Sequence, residues 1–232
     1  MIKYILFKTS NHPKFRTNYD LLNYTDIFDD IKLLTENDLD DYISNIINNI
    51  LKKYSTLRGY GYWIWKPYLI LQELNKLNDG DILFYSNIHA DFSNVKNMFN
   101  NIFEDIQKTN KPVFLGNSGC LEYQWTTNKL IKYIENSLNY TFTYNDLHNG
   151  QYGAGTICIL KNEFSINFIK TWFNLMINGI EYITDIHNDD DDNDPEFIEN
   201  RHDQSVISLL YKYYKLPENN YINIINSIEN NI

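Results

Sequence analysis

Ten residues hold the densest chemistry in the chain: Arg58-Gly59-Tyr60-Gly61-Tyr62-Trp63-Ile64-Trp65-Lys66-Pro67. Four aromatic rings and two cations stand together in this block. A buried aromatic knot fixing a helix start accounts for Trp63 and Trp65. It leaves Arg58 and Lys66 embedded in apolar surroundings, where an unpaired charge is costly. A bound diphosphate would supply the missing partner, and a neighbouring ring could stack on a nucleobase. Further polar groups follow the apolar runs: Ser10, Asn11 and His12 after Phe7, Ser86, Asn87, His89 and Asp91 after Tyr85, and Asn117 and Ser118 after Leu115. Arg201-His202-Asp203-Gln204-Ser205 leads into the helix through Val206, Leu209 and Leu210.

The elements that must position these groups alternate between strand and helix, the pattern of an α/β domain with a mostly parallel central sheet flanked by helices. Tyr4–Phe7, Ile82–Tyr85, residues 112–116 and Gly155–Leu160 read as buried strands. Thr35-Glu36-Asn37-Asp38 has capping-box spacing and starts a helix running to about Lys53. Pro67 suits the first turn of the next helix, whose Ile70, Leu74 and Leu77 form a stripe. Apolar residues at helical spacing recur from Val95 to Ile106, Leu130 to Leu138, Phe164 to Leu175 and Val206 to Leu210. No repeat or linker divides the chain, so 1–232 reads as one domain, with an acidic loop at about 185–200 and a tail from about 216. Ligands of open α/β sheets bind beyond the carboxyl ends of the strands, which points to the loops after Phe7, Tyr85, Leu115 and Leu160.

Composition narrows the classes. The chain has 232 residues, 43% hydrophobic and 16% aromatic, enough for one sizeable core and too apolar for a disordered segment. A net charge of −10 argues against a general nucleic-acid binder. The carboxylates between Asp185 and Glu196 read as a solvated, self-repelling loop. Heavy Asn usage, with Ile, Tyr and Lys, reads as nucleotide bias. No apolar run reaches membrane-span length, and residues 1–8 read as a first strand and not as a secretory leader. Cys120 and Cys158 offer no disulfide framework and suit a reducing compartment, the cytoplasm. Zinc-ligand spacings are missing, and Cys120 reads as an idle thiol.

Taken with the residues that follow it, the ten-residue block has a likeness. Arg58 to Asn87 (RGYGYWIWKPYLILQELNKLNDGDILFYSN) resembles the signature of small glycosyltransferases with the GT-A nucleotide-diphospho-sugar fold, found in bacterial polysaccharide clusters and giant DNA viruses. Gln151-Tyr152-Gly153-Ala154-Gly155, the helix containing Trp172, and Arg201–Ser205 extend the likeness over most of the chain. It implies a GT-A-like domain that takes a nucleotide-sugar, usually a UDP-sugar, as donor and a glycan or glycoside hydroxyl as acceptor. It also implies a divalent cation, often Mn²⁺, held against the diphosphate to neutralise the leaving group. By position, Arg58, Tyr62, Trp63, Lys66, Tyr85, Asn87 and Ser10 would line the nucleotide side. Gly153, Ala154 and Gly155 would let the donor sugar approach closely, and His202 and Asp203 would lie near the diphosphate or the acceptor hydroxyl.

The departures from that pattern matter as well. Asn87 stands where the group has Asp, keeping a carbonyl ligand and losing a charge, and His89 replaces a Gly. Asn87 and His89, with His202 opposite, would make a less charged metal site. The alternative is a metal-independent or catalytically silent nucleotide-sugar or glycan binder. Residues 125–129 (WTTNK) differ from the Thr-Lys-Arg-Asp of relatives, which bears on the acceptor if that segment touches it.

Overall fold

The structure, a computed structural model, describes residues 1–10, 24–55, 58–87, 92, 95–109 and 112–230, with no side chains beyond 225. Among the described residues five strands form a single sheet: β1 (Ile2–Phe7), β2 (Asp30–Leu34), β3 (Ile82–Ser86), β4 (Val113–Leu121) and β5 (Gly150–Leu160), in the order β2-β1-β3-β5-β4. β1 pairs in parallel with β2 and β3, whereas β5 runs antiparallel to both β3 and β4. Four strands therefore point one way and β5 alone points back.

That reversal corrects one expectation about the site. The end of β5 meets the start of β3, where Lys161 N donates to Asp81 O at 2.8 Å. The loop after Leu160 thus lies at the opposite edge from those after Phe7 and Tyr85. The first half of β5 takes its place, with Tyr85 registered on Ile157 and Ser86 on Thr156.

Alternation along the strands feeds two cores. Ile5, Phe7, Leu83, Tyr85, Leu115 and Ile157 join the larger one. It is closed by α1 (Asp41–Tyr54), α2 (Trp65–Asn75), α4 (Asn128–Leu138), α5 (Glu163–Asn178) and α6 (Asp203–Tyr213). Tyr4, Leu6, Ile82, Phe84, Phe114 and Cys158 face the other side, under α3 (Met98–Lys108) and α7 (Asn220–Asn230). Both faces being covered explains why the central strands are continuous apolar runs.

Three elements differ from the sequence reading. The Thr35 capping box closes only a 3₁₀ turn, Glu36–Asp38; Leu39 then extends into the core and Asp40 caps α1, accepting from Ile43 N at 3.1 Å. β2 is an edge strand interrupted by Lys32, too weak a pattern to stand out. The tail from 216 carries α7, held on β4 by Asn117 N donating to Asn223 Oδ1 at 2.7 Å and by buried Ile222 and Ile225. Among the described residues no helix is long and apolar enough to cross a membrane.

Candidate functional site

The aromatic block owes its shape to a left-handed turn. Gly59, Tyr60, Gly61, Tyr62 and Trp63 all have positive φ, at 54°, 50°, 87°, 57° and 58°. Tyr62 N donates to Arg58 O at 2.9 Å and Trp63 N to Gly59 O at 3.0 Å. Each L-residue wound this way costs roughly 1–2 kcal/mol, so the two glycines ease the turn and packing must hold the rest. That packing is visible: Trp65 Nε1 donates to Gly59 O at 2.9 Å, and the Trp65 ring stacks on Phe7 at 3.9 Å. Trp65, Lys66 and Pro67 then form the first turn of α2, where Pro67 needs no N–H partner.

This start of α2 delivers Lys66 into the interior. Its Nζ lies 2.5 Å from Asp203 Oδ2 and 3.1 Å from Ala154 O, and 5.5 Å from the centre of the Tyr85 ring. Burial pushes the Asp203 carboxyl up, against the pull of the Lys66 charge. Tyr85 OH donates to Asn87 Oδ1 at 3.1 Å, and Asn87 N donates to Gly155 O at 2.8 Å. Lys66, Tyr85, Asn87, Ala154, Gly155 and Asp203 are thereby linked where the parallel strands end, and Gly153 continues β5 beside them.

A second group surrounds His202. Its Nδ1 lies 2.7 Å from the Ile183 carbonyl, which can only accept, so Nδ1 carries the proton. The ring lies between Trp63 (5.5 Å) and Tyr62 (4.9 Å). Nε2 is closed to solvent without a hydrogen-bond partner, 3.7 Å from Asp185 Oδ1. Burial, with the nearby Arg58 charge, draws the imidazole down to about 4, although Ile183 O, Asp185 and Glu199 oppose it. Arg58 donates to Asp185 at 3.0 Å and to Glu199 at 3.0 Å. Tyr62 OH donates to Asp185 Oδ2 at 3.1 Å.

These contacts revise several expectations. Arg58 and Lys66 already have carboxylate partners, so charge balance does not call for a diphosphate. Asp185 and Glu199 escaped notice because they sit in an acidic run far along the chain. Tyr62 is buried and hydrogen-bonded, which makes it a packing residue without a free face for a base. Ser10 gives its backbone N–H and hydroxyl to Glu36. The acidic loop is also not simply solvated. Asp190 pairs with Lys129 at 2.9 Å and His187 at 2.8 Å, Asp192 with Lys132 at 3.1 Å, and Asn128 N donates to Asn193 Oδ1 at 3.0 Å. Residues 125–129 meet that loop because α4 begins beside it.

The donor set for a cation is thin. Asn87 Oδ1 already accepts from Tyr85, both His202 nitrogens are enclosed, and no cluster of three or more His, Cys, Asp or Glu suited to a metal occurs among the described residues. His89 lies outside those residues, as do Asn11, His12 and Asp91.

One network that sequence reasoning missed sets the position of α6. Glu122, fully buried, accepts from Thr126 Oγ1 (2.7 Å), Gln151 Nε2 (2.9 Å) and Ser208 Oγ (2.5 Å), and pairs with Lys212 at 2.8 Å. It ties the segment after β4 to β5 and α6, and Trp172 Nε1 donates to Asp203 O at 3.2 Å from α5. A lone Glu between Leu121 and Tyr123 carries no signal of this in the sequence. Set beside protein-family models, curated proteins and solved structures, the chain matches none of them.

Proposed function

We propose that this chain is a glycosyltransferase, moving a sugar from a nucleotide-sugar, a UDP-sugar by its sequence resemblance, to an acceptor hydroxyl on a glycan. The observation that supports the reading is the meeting of four distant segments at one sheet edge. Lys66 links Asp203 to the Ala154 carbonyl, beside Tyr85 and Asn87. On this reading Asp203 takes the acceptor proton, its raised pKa making it a better base than a free carboxylate. Lys66 orients it and adds positive charge near the leaving group. Trp63 is half-buried, stacked on His202 and packed over Gly59, so on this reading only its exposed rim meets a base. The small residues Gly153, Ala154 and Gly155 admit the donor sugar. A divalent cation would neutralise the leaving diphosphate, but the described donors do not make a site for one, and no step here depends on it. The cytoplasm is the setting that suits the two free thiols, Cys120 and Cys158.

A silent nucleotide-sugar or glycan binder is the second reading, favoured by the internal pairing of Arg58 and Lys66. Calorimetric titration with UDP, with and without Mn²⁺, followed by UDP release from a panel of UDP-sugars, tests both. Binding with release supports the transferase; binding without release supports the silent binder. No UDP binding in either condition sinks the transferase and the nucleotide-sugar binder, leaving a glycan binder alone.

A further inference from the structure

The cations near this edge of the sheet differ in how their charge is met. Arg58 has two carboxylates and Lys66 has one. Arg201 has none among the described residues. Its guanidinium carbon stands 3.9 Å from the centre of the Trp125 ring, and its Nε is closed to solvent with no acceptor. The carboxylates on the same stretch of chain are engaged elsewhere: Glu196 accepts from Tyr123 OH at 2.6 Å, and Glu199 from Arg58 at 3.0 Å. The backbone beneath Arg201 is fixed, its N–H donating to Trp125 O at 3.1 Å and Ser205 Oγ at 3.2 Å. Gln204 Nε2 ties the same turn to Gln151 Oε1 of β5 at 2.6 Å. The indole face stabilises the half-buried guanidinium, and the enclosed Nε–H without an acceptor is the one cost that packing does not offset. A guanidinium is the group best shaped to take an oxyanion through two parallel N–H bonds.

We propose that Arg201, carried on the Trp125 ring, is a binding residue for an oxyanion of the ligand, a phosphate or a carboxylate. The proposal holds whichever molecule bears that oxyanion, so it stands apart from the nucleotide-sugar reading.

The test titrates UDP, inorganic pyrophosphate and glucuronate separately into the full chain. Calorimetry gives affinity, and the Trp125 indole N–H resonance, assigned by its loss in Trp125→Phe, reports the place of binding. At least one of the three is expected to bind and shift that resonance. Arg201→Gln should weaken the same ligand ten-fold or more, and Arg201→Lys should recover only part of the loss, because an ammonium keeps the charge without the fork. Response to UDP and pyrophosphate names phosphate as the partner; response to glucuronate alone names carboxylate. Binding by none of the three overturns the proposal. So does an Arg201→Gln chain that binds like the parent; UDP binding of that kind leaves the nucleotide-sugar reading standing. Glucuronate binding that needs Arg201, in a chain that ignores UDP, supports this site and sinks that reading. Should Arg201→Gln fail to fold, Arg201→Lys replaces it: weakened binding supports the proposal and unchanged binding overturns it.

Discussion

Lys66 Nζ stands 2.5 Å from Asp203 Oδ2, with side-chain exposures of 3% and 6%. The pair joins the first turn of α2 to the first residue of α6, across 137 residues of sequence. Two ions out of water repel the fold unless each has its partner, so neither can change alone without a large effect. We expect Lys66→Met to lose about 3–5 kcal/mol, the cost of stranding a buried charge. Lys66→Met/Asp203→Leu should recover much of that. Urea unfolding of the three chains checks this, and equal stability of the single and double variants would show that the pair carries little. Any UDP affinity should fall in both.

The left-handed turn makes a sharper claim about Gly59. A Cβ there, at φ 54°, would run into the Trp63 ring. Gly59→Ala should lose roughly 1–2 kcal/mol from backbone strain and about 1–3 more from the clash. Gly80, at φ 89° with nothing within 4 Å of an added Cβ, is the control that isolates the backbone part. Thermal or urea midpoints of the two alanine variants should therefore differ, with Gly59→Ala lower.

His202 predicts a direction with pH. Its folded pKa of about 4 lies below the ordinary 6.5, so the native imidazole stays neutral while the unfolded chain takes up a proton. Its share of stability is complete above pH 6.5 and declines as pH falls towards 4. One proton corresponds to about 1.4 kcal/mol per pH unit at most. His202→Gly, the residue that reaches the φ of 55° and ψ of −116° found here without strain, should flatten the slope between those limits. Unfolding midpoints across that range are the measurement, and an unchanged slope would mean that His202 titrates normally.

Asn87→Asp keeps the acceptor for Tyr85 OH and adds a negative charge that a divalent cation would favour. If the end of β3 faces a diphosphate and its cation, UDP affinity should become several-fold more dependent on Mn²⁺. Titration with and without the metal reads this directly. Indifference to the change would turn that loop away from the ligand.

Glu122→Gln tests the hidden network. It leaves Lys212 buried without its counter-charge, at an expected cost of about 3–5 kcal/mol. Adding Lys212→Met should return part of the loss, and a double variant no better than the single one would argue against the pairing.

Much of the fold could be read beforehand, because periodicity is a local property. Ile82–Tyr85 is apolar on both sides and therefore a covered strand; Pro67 suits the first turn of a helix. β2 and α7 escaped because their patterns, broken by Lys32 and by scattered Asn, become meaningful only once Ile31 and Leu33 or Ile222 and Ile225 find a partner layer. The candidate site was legible as a set of segments. Lys66, Tyr85, Asn87, Ala154 and Asp203 were singled out from sequence and do stand together.

What the amino-acid order determined by itself was which residues must be buried, which turns must bend and which stretches are dense in chemistry. Tertiary structure alone decided the direction of β5, and with it which loops share an edge with Asn87. It alone paired Lys66 with Asp203 and Arg58 with Asp185 and Glu199, and left Arg201 on Trp125. The reason is physical: hydrophobic spacing acts over a few residues, whereas the state of a charge depends on whichever groups the folded chain brings within a few ångströms, however far away they lie in sequence.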